Sequence, residues 1–302
     1  MKLAAKIFVV LAIQLPAVTA FAQAKGISEQ KPVSTGTTDV AKEGFAKVEE
    51  DKEKDKKEKD ATELQIAAGG LFSTGNAKAI SVTASSKGRL RRGDHQGAFA
   101  IAGNSAATPE KKEDGTTGPM KETVRNIQGL ARYDYFLTPE FSIFFQASVR
   151  HDKFQFLDLR LNLDPGVAYQ FVNKKERRVW GELGGDVQVD WRNPPAIRDQ
   201  NVEKAAKGEE LLETRETRVN ARAFFGYEEK ASKEVGFNSG VEYLQGLTDP
   251  SWFRLNVDLG VKSQFSDKFS FATTFTLRYE SEPVAKEKLD VIGAVNLVYS
   301  LY

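Results

Sequence analysis

Apolar and polar residues alternate along most of the chain after residue 63. The stretch 253–262 shows this simply, with apolar side chains at odd positions and polar or small ones at even positions. Successive side chains of a β-strand point to opposite faces, whereas a helix needs apolar residues three and four apart. The same alternation recurs in 158–171 and 269–280. Each segment is therefore predicted to be a strand with one apolar and one polar face.

Weaker alternation elsewhere extends the pattern to a set of long strands. Many of them have ten residues or more, which exceeds the usual globular strand of about five or six and suits a tilted crossing of a bilayer. The predicted strands are 63–73, 77–90, 95–105, 121–135, 141–152, 157–172, 178–191, 214–227, 233–245, 252–264, 268–280 and 289–302. We therefore predict an all-β fold, a transmembrane antiparallel β-barrel of about twelve strands.

The predicted connections differ in length between the two ends of such a barrel. One set is short, at 91–94, 137–140, 173–177, 228–232 and 266–267, while the other includes long loops at 106–120 and 192–212. Pro194 and Pro195 open the longest loop, because proline cannot continue a ladder. Outer-membrane barrels have short periplasmic turns and longer external loops, so the short set is predicted to face the periplasm.

Aromatic residues gather near the predicted strand ends, where amphipathic rings meet lipid headgroups. One predicted girdle contains Tyr133, Tyr135, Tyr169, Phe171, Tyr227, Phe265 and Tyr299. The other contains Trp191, Tyr243, Trp252, Phe253 and Tyr279. Aromatic packing in a soluble β-sandwich is the alternative, but a sandwich does not need twelve long strands with one set of short connections.

The first 62 residues have a different composition. Lys2 and Lys6 precede a short apolar run and the small-residue site Ala20-Phe21-Ala22, so 1–22 is predicted to be a signal peptide. The run is too short for the alternative, a membrane-spanning anchor. Residues 23–62 include an unbroken charged run at 49–60 and are predicted to be a disordered periplasmic leader. This leader is expected to be either a solvated tether or a contact with peptidoglycan or a periplasmic partner. Residues 63–302 are predicted to form the barrel.

The overall composition excludes several classes of function. The chain has 43 Lys and Arg, 42 Asp and Glu, 2 His and no Cys. Such a balance gives no support to nucleic-acid binding, and without cysteine there is no disulfide framework or thiolate metal site. The sequence also lacks a phosphate-binding loop and the histidine spacing of a metal centre, so no cofactor or metal is predicted.

Charged residues concentrate on the face predicted to point inward. The candidate lumen-lining residues are Asp158, Arg160, Asp164, Glu182, Asp186, Asp190, Arg218, Arg222, Arg254, Asp258 and Arg278. Acidic and basic walls facing each other would select ions or small polar solutes in a narrow channel. The same residues could instead pair across the filled lumen of a closed, structural or partner-binding barrel. The sequence leaves both possibilities open.

A membrane enzyme such as a lipid hydrolase is a third possibility. His151 is the only candidate general base, because it lies two residues after Val149 and is predicted to face lipid on the same side of the strand. A base needs a nucleophile within hydrogen-bond reach, and the facing stretch 156–162 contains no serine. We therefore predict no catalytic residues and no enzymatic activity.

Four short motifs, taken in order, resemble a known family. They are Ser73-Thr74-Gly75-Asn76, the run from Arg132 to Thr138, Asp158-Leu159-Arg160, and the run from Pro165 to Phe171. They are similar to the outer-membrane family called domain of unknown function 481, whose members are labelled salt-induced outer membrane proteins, over roughly 63–302. Ala168 departs from the second glycine typical of that family.

The resemblance implies a barrel in the outer membrane of a Gram-negative cell, in contact with outer-membrane lipid, and it supplies no established activity. The terminal aromatic Tyr302 suits recognition by the barrel-assembly machinery, although the apolar alternation behind it is one residue out of phase with the usual signal.

Overall fold

In a computed structural model the chain forms a closed barrel of twelve antiparallel strands. The structure describes residues 61–73, 79–111, 117–174, 176–284 and 288–301. The strands are β1 (Ala61–Ser73), β2 (Ala79–Arg92), β3 (His95–Lys111), β4 (Thr117–Phe136), β5 (Phe141–Asp152), β6 (Leu157–Asn173), β7 (Arg177–Arg192), β8 (Arg215–Lys230), β9 (Val235–Gly246), β10 (Phe253–Gln264), β11 (Phe269–Glu280) and β12 (Leu289–Ser300). The predicted signal peptide and the predicted leader up to residue 60 lie outside the described residues.

Each strand pairs with its neighbours in the sequence, and the first strand pairs with the last. In the closing pair, Gln65 of β1 lies opposite Ser300 of β12, and Ala68 lies opposite Leu297. Closure leaves no strand with an unpaired row of backbone N–H and C=O groups. A sheet without edges is the only β-structure that can cross the hydrocarbon core of a membrane.

The outer wall is apolar, because the alternation places large apolar side chains there. Val82, Phe99, Leu183 and Val295 are all exposed, Leu183 to 65% although it lies in the middle of a strand. The intervening residues of the same strands point inward, and most of them are polar. This is the reverse of a water-soluble protein and is the surface that lipid requires.

The two ends of the barrel differ in their connections. The connections 93–94, 137–140, 231–234 and 265–268 are tight, and we call their side the turn end. The opposite side, the loop end, carries the connections 153–156, 193–214 and 247–252. Ala61 pairs with Arg91 beside a tight turn, so β1 enters the barrel at the turn end.

Two predicted loops contain regular structure. The prediction of a long loop at 106–120 was wrong, because β3 and β4 continue to a last pair between Lys111 and Thr117. Register shifts after Ala106 and Pro109 show that β-bulges absorb the proline without ending the strand.

The longest connection contains the helix α1 (Pro194–Lys207). Its two prolines occupy the first turn, where no backbone donor is needed, and the Asn193 side chain accepts the backbone N–H of Ala196 at 3.3 Å. No helix in the described part of the chain is long and apolar enough to cross a membrane.

Candidate functional site

The interior of the barrel is the candidate site, and β7 shows how far it is filled. The inward side chains of this strand are buried along its whole length. From the turn end to the loop end they are Arg178, Trp180, Glu182, Asp186, Gln188, Asp190 and Arg192. A buried side chain on the inner wall is covered by other side chains, so the interior beside β7 is packed.

A chain of ion pairs, the central ion network, lies at mid-height. Arg132 of β4 binds the Asp134 carboxylate through both Nε and Nη2, and its Nη1 lies 2.8 Å from Glu182 Oε1 on β7. Glu182 also pairs with Arg222 Nη1 of β8 at 2.8 Å, and Arg222 Nε pairs with Glu242 of β9 at 2.8 Å. All of these side chains are buried, and each charge in the network has a hydrogen-bonded opposite charge, as burial requires.

Aromatic rings pack beside this network, toward the turn end. This inner aromatic cluster consists of Phe136, Phe144, Ala168, Trp180 and Phe224. The Arg132 guanidinium carbon lies 4.0 Å from the centre of the Phe144 ring, and that of Arg91 lies 3.8 Å from the centre of the Phe136 ring. The interior is therefore filled by arginine stacked on aromatic faces as well as by ion pairs.

Two glycines of the inner wall make room for these rings. A Cβ added to Gly166 would lie 2.5 Å from Cζ of Phe144, and one added to Gly226 would lie 2.3 Å from Cζ2 of Trp180. Each ring thus lies directly on the backbone of a neighbouring strand, a close approach that only glycine permits. This explains the glycine in the Pro165-Gly166 motif.

A cavity of about 120 Å³ opens above the network at the loop end. Arg160 binds Asp190 through two hydrogen bonds of 2.7 Å, and Arg254 pairs with Glu280 at 3.1 Å. Asp164 and Asp186 also line this space. A second cavity, of about 260 Å³, opens at the turn end and is lined by Lys87, Arg89, Glu63, Arg178, Glu228 and Lys262, among others.

The wall formed by β1 to β3 carries small residues on its inner face. Ser85 of β2 pairs with Ala67 of β1 on one side and with Ala102 of β3 on the other. Thr83 of β2 donates a hydrogen bond of 2.9 Å to Asn296 of β12, across Gly69. Ala67, Thr83 and Ser85 are half-buried, in contrast to the fully buried inner residues of β7. The middle of β1 and β2 is therefore less covered on its inner face than β7, whereas Ala100 and Ala102 of β3 are buried.

Ten of the eleven predicted lumen-lining residues point inward. Arg218 and Arg278 are half-buried on the inner wall, whereas the following are buried: Arg160, Asp164, Glu182, Asp186, Asp190, Arg222, Arg254 and Asp258. Asp158 is the exception and a correction, since it is exposed. A β-bulge at 157–159 shifts the register there, so Asp158 leaves the inner face and accepts a hydrogen bond from Asn193 at 3.2 Å.

Most predicted girdle residues lie on the outer wall. At the turn end Tyr133, Tyr135 and Tyr169 are exposed, and Tyr227 and Tyr299 are half-buried; at the loop end Tyr243 is exposed, and Trp191 and Tyr279 are half-buried.

The prediction that Trp252 belongs to the outer girdle is wrong. It is fully buried, its Nε1 donates to Glu280 at 3.2 Å, and Arg218 and Arg254 stack on its ring at 5.0 and 5.1 Å. Trp252 lies two residues before Arg254 and therefore points to the same, inner face. The adjacent turn does not change this alternation.

The histidines show no catalytic arrangement in the described part of the chain. His151 Nδ1 lies 2.9 Å from the backbone oxygen of Asp158, and His95 Nδ1 lies 2.6 Å from the Tyr133 hydroxyl. Among the described residues, no group of three or more His, Asp or Glu side chains converges as a metal centre would.

The sequence did not predict the inner aromatic cluster. Phe144, Trp180 and Phe224 lie at even positions of β5, β7 and β8, whose even-numbered residues point inward. The alternation along each strand could therefore have predicted that these three rings face the lumen. The prediction concerns aromatic residues at the strand ends and does not include Phe144, Trp180 or Phe224.

Several solved structures are similar to this chain. The NanC porin is 9% identical, with a TM-score of 0.42 over 79% of this chain and 97% of that one. The translocator domain of the autotransporter NalP from Neisseria meningitidis is 10% identical, with a TM-score of 0.40 over 79% and 86%. The KdgM porin in complex with disordered oligogalacturonate is 9% identical, with a TM-score of 0.39 over 80% and 100%.

No curated protein matches the chain. A family model described as "Protein of unknown function, DUF481" matches residues 66–301. That match covers nearly the whole barrel, including the Arg132 and Pro165-Gly166 motifs that build its packed side. This β-barrel of the outer-membrane type therefore belongs to the DUF481 family.

Proposed function

We propose that the barrel is a narrow outer-membrane channel for small polar solutes or ions. The observation that carries this proposal is the difference between the two sides of the interior. Long side chains fill the interior beside β4 to β9, whereas the small inner side chains Ala67, Thr83 and Ser85 of β1 and β2 are half-buried, and a cavity opens at each end of the barrel. A twelve-stranded barrel lies between small filled barrels and wide porins, so packing from one side leaves a narrow, eccentric passage.

The small-residue wall has the chemistry of such a passage. Half-buried side chains inside a closed barrel border internal space, and Thr83, Ser85 and Lys87 on β2 are half-buried and polar. Polar groups along a pore replace part of the hydration shell of the solute. The packed opposite side holds its charges in fixed positions through the central ion network.

The same proposal places the protein in the cell envelope. The apolar outer wall contacts outer-membrane lipid, and the turn end, where β1 enters the barrel, faces the periplasm. Export by the signal peptide at 1–22, insertion by the barrel-assembly machinery and a peptidoglycan or periplasmic contact of the leader belong to this proposal.

Two neighbouring residues of β2 allow a matched test. Ser85 points into the lumen between Ala67 and Ala102, whereas Ala84 is exposed on the lipid side. Single-channel conductance in planar bilayers is measured for the wild type, Ser85→Trp and Ala84→Trp. A discrete conductance is expected in the wild type, a several-fold loss in Ser85→Trp and no change in Ala84→Trp.

A closed, structural or partner-binding barrel is the alternative, and the fully buried central ion network favours it. If the barrel is closed, the conductance should be near zero in the wild type and should remain near zero in Arg222→Ala. If the wild type conducts but the conductance is unaffected by Ser85→Trp, the passage does not run along β2.

A further inference from the structure

The cavity at the turn end of the barrel, about 260 Å³ in volume, is lined by more positive than negative charge. Seven lysines and arginines line it, against five glutamates. Of these glutamates, Glu63 pairs with Arg89, and Glu228 pairs with Arg178. These two ion pairs lie on the inner wall and contribute no net charge, so the positive excess of the cavity comes from other residues.

Lys87 of β2 and Lys262 of β10 carry positive charge on the inner wall of this turn-end cavity. The directly opposed residue is neutral in each case, Gln65 of β1 for Lys87 and Gly236 of β9 for Lys262. Both lysines are half-buried, and partly buried charges are screened by salt less than exposed ones. A cleft with one predominant sign of charge and walls of low dielectric concentrates the electric field, so this cavity attracts anionic groups.

The chain enters the barrel beside the same cavity. Ala61 is the first residue of β1 and pairs with Arg91, which precedes the tight turn 93–94. Glu63, which lines the cavity, follows only two residues later, about 7 Å along a strand. The segment that precedes Ala61 is therefore tethered at the rim of the turn-end cavity.

That segment has the opposite charge. Residues 49–60 comprise seven acids and five lysines. The run begins with Glu49, Glu50 and Asp51, three acids in succession that we call the acidic triplet. Asp51 lies ten residues before Ala61, and ten residues span up to about 33–36 Å when extended. The acidic triplet is therefore close enough in the chain to reach the cavity.

The tether also strengthens a weak electrostatic contact. A segment joined to its binding site by a short flexible linker is present there at an effective concentration on the order of millimolar. A free anion reaches the same occupancy only at that concentration in solution. The chain's own acidic triplet is therefore favoured over a small anion as the occupant of the cavity.

We propose that the acidic triplet Glu49-Glu50-Asp51 of the predicted leader binds in the turn-end cavity, beside Lys87 and Lys262. Bound there, it covers the turn-end entrance to the lumen. The contact joins two parts of one chain, and it does not depend on the barrel being a channel.

Disulfide formation in the full-length protein tests the proposal, because the chain has no cysteine of its own. Val48→Cys places a thiol next to the acidic triplet, and Asn238→Cys places one in the turn-end cavity. The folded protein is oxidised in an uncharged detergent, and the intramolecular disulfide is followed as a band of altered mobility on a denaturing gel. This pair should react several-fold faster than Val48→Cys with Gln155→Cys, whose second thiol lies in the cavity at the loop end.

Charge variants of the leader separate specific binding from chance collisions of a tethered segment. The combined change Glu49→Gln, Glu50→Gln and Asp51→Asn should slow disulfide formation several-fold. The matched control is Lys56→Gln with Lys57→Gln, which removes charge of the opposite sign from the same run and should not slow it.

The barrel side is tested in the same way. Lys87→Gln with Lys262→Gln should slow disulfide formation several-fold. Lys174→Gln with Lys268→Gln is the matched control, because both lysines are exposed at the turn end, do not line the cavity and should have no effect. Each variant is first shown to give the heat-modifiable band of a folded barrel, so that a slower reaction does not report unfolding.

Three outcomes would overturn the proposal. They are no disulfide between positions 48 and 238, an equal rate with the thiol at position 155, and a rate that neutralising the acidic triplet leaves unchanged. None of these measurements uses conductance, so a failure here leaves the channel proposal standing, and a barrel that does not conduct leaves this contact standing.

Discussion

Arg132 Nη1 lies 2.8 Å from Glu182 Oε1, and this ion pair joins β4 to β7 past the two strands between them. Both side chains are fully buried. Since adjacent strands are already held by backbone hydrogen bonds, an ion pair between distant strands fixes the width of the barrel instead. The pair also brings the side chains of the central ion network together in the lumen. These side chains fill the interior beside β4 to β9.

Replacing Glu182 by alanine should destabilise the barrel strongly. The change leaves Arg132 Nη1 and Arg222 Nη1 buried without their shared acceptor, although Asp134 and Glu242 still balance the two charges. Each buried donor left without a partner costs about 1–3 kcal/mol. The measurement is the free energy of urea unfolding in lipid vesicles, followed by tryptophan fluorescence. Glu110→Ala is the control, because its pair with Lys121 is exposed and should be worth about 0–1 kcal/mol. Equal losses in the two variants would contradict a structural role for the network.

Gly226→Ala tests the close packing of Trp180. An added Cβ would lie 2.3 Å from the ring, so Trp180 or the backbone must shift, and overpacking of this kind costs about 1–3 kcal/mol. Gly97→Ala on β3 is the matched control, because nothing lies within 4 Å of its added Cβ. The control should be neutral or slightly stabilising, since alanine restricts the unfolded chain more than glycine does. The same urea titration measures both, and a neutral Gly226→Ala would show that the ring does not lie on this glycine.

Leu183→Arg tests the contact of the outer wall with lipid. Leu183 is exposed in the middle of β7, and an arginine on the lipid face near the bilayer midplane costs about 2–4 kcal/mol. Val202→Arg is the control, because Val202 is 67% exposed on α1 at the loop end. Folding into vesicles, measured as the fraction of heat-modifiable gel band, should fall only for Leu183→Arg. Equal yields would place β7 outside the hydrocarbon.

The sequence predicted the strands of this barrel because their periodicity is a local property. Residues i and i+2 of a strand point to the same face, independently of the rest of the fold. All twelve strands could therefore be placed from the sequence. The same rule located Arg160 and Glu182 on the inner wall. It failed at Asp158, where a bulge adds one residue and reverses the parity, because a bulge leaves no mark in the pattern of apolar residues.

Contacts across the lumen could not be predicted in the same way. Parity shows that Arg132 and Glu182 point inward, but their contact depends on the height of each strand in the closed barrel. That height is set by the register of every intervening pair, which one sequence does not specify. The packing of the interior beside β4 to β9 is therefore visible only in the structure.

Trp252 allows the inner and outer walls to be distinguished by spectroscopy. The chain has three tryptophans, at positions 180, 191 and 252, and the structure buries Trp180 and Trp252 inside the barrel, with Trp191 outside. A quencher attached to lipid near the headgroups reaches only rings on the outer wall. Single-tryptophan proteins are made by replacing the other two tryptophans with phenylalanine, and their fluorescence is compared in vesicles with and without brominated lipid.

The protein that retains Trp191 should be quenched several-fold more than the one that retains Trp252, because Arg218 and Arg254 enclose the Trp252 ring. The protein that retains Trp180 is the internal control, since that ring lies on Gly226 inside the lumen and should resist the quencher. Quenching of Trp252 equal to that of Trp191 would return it to the outer girdle.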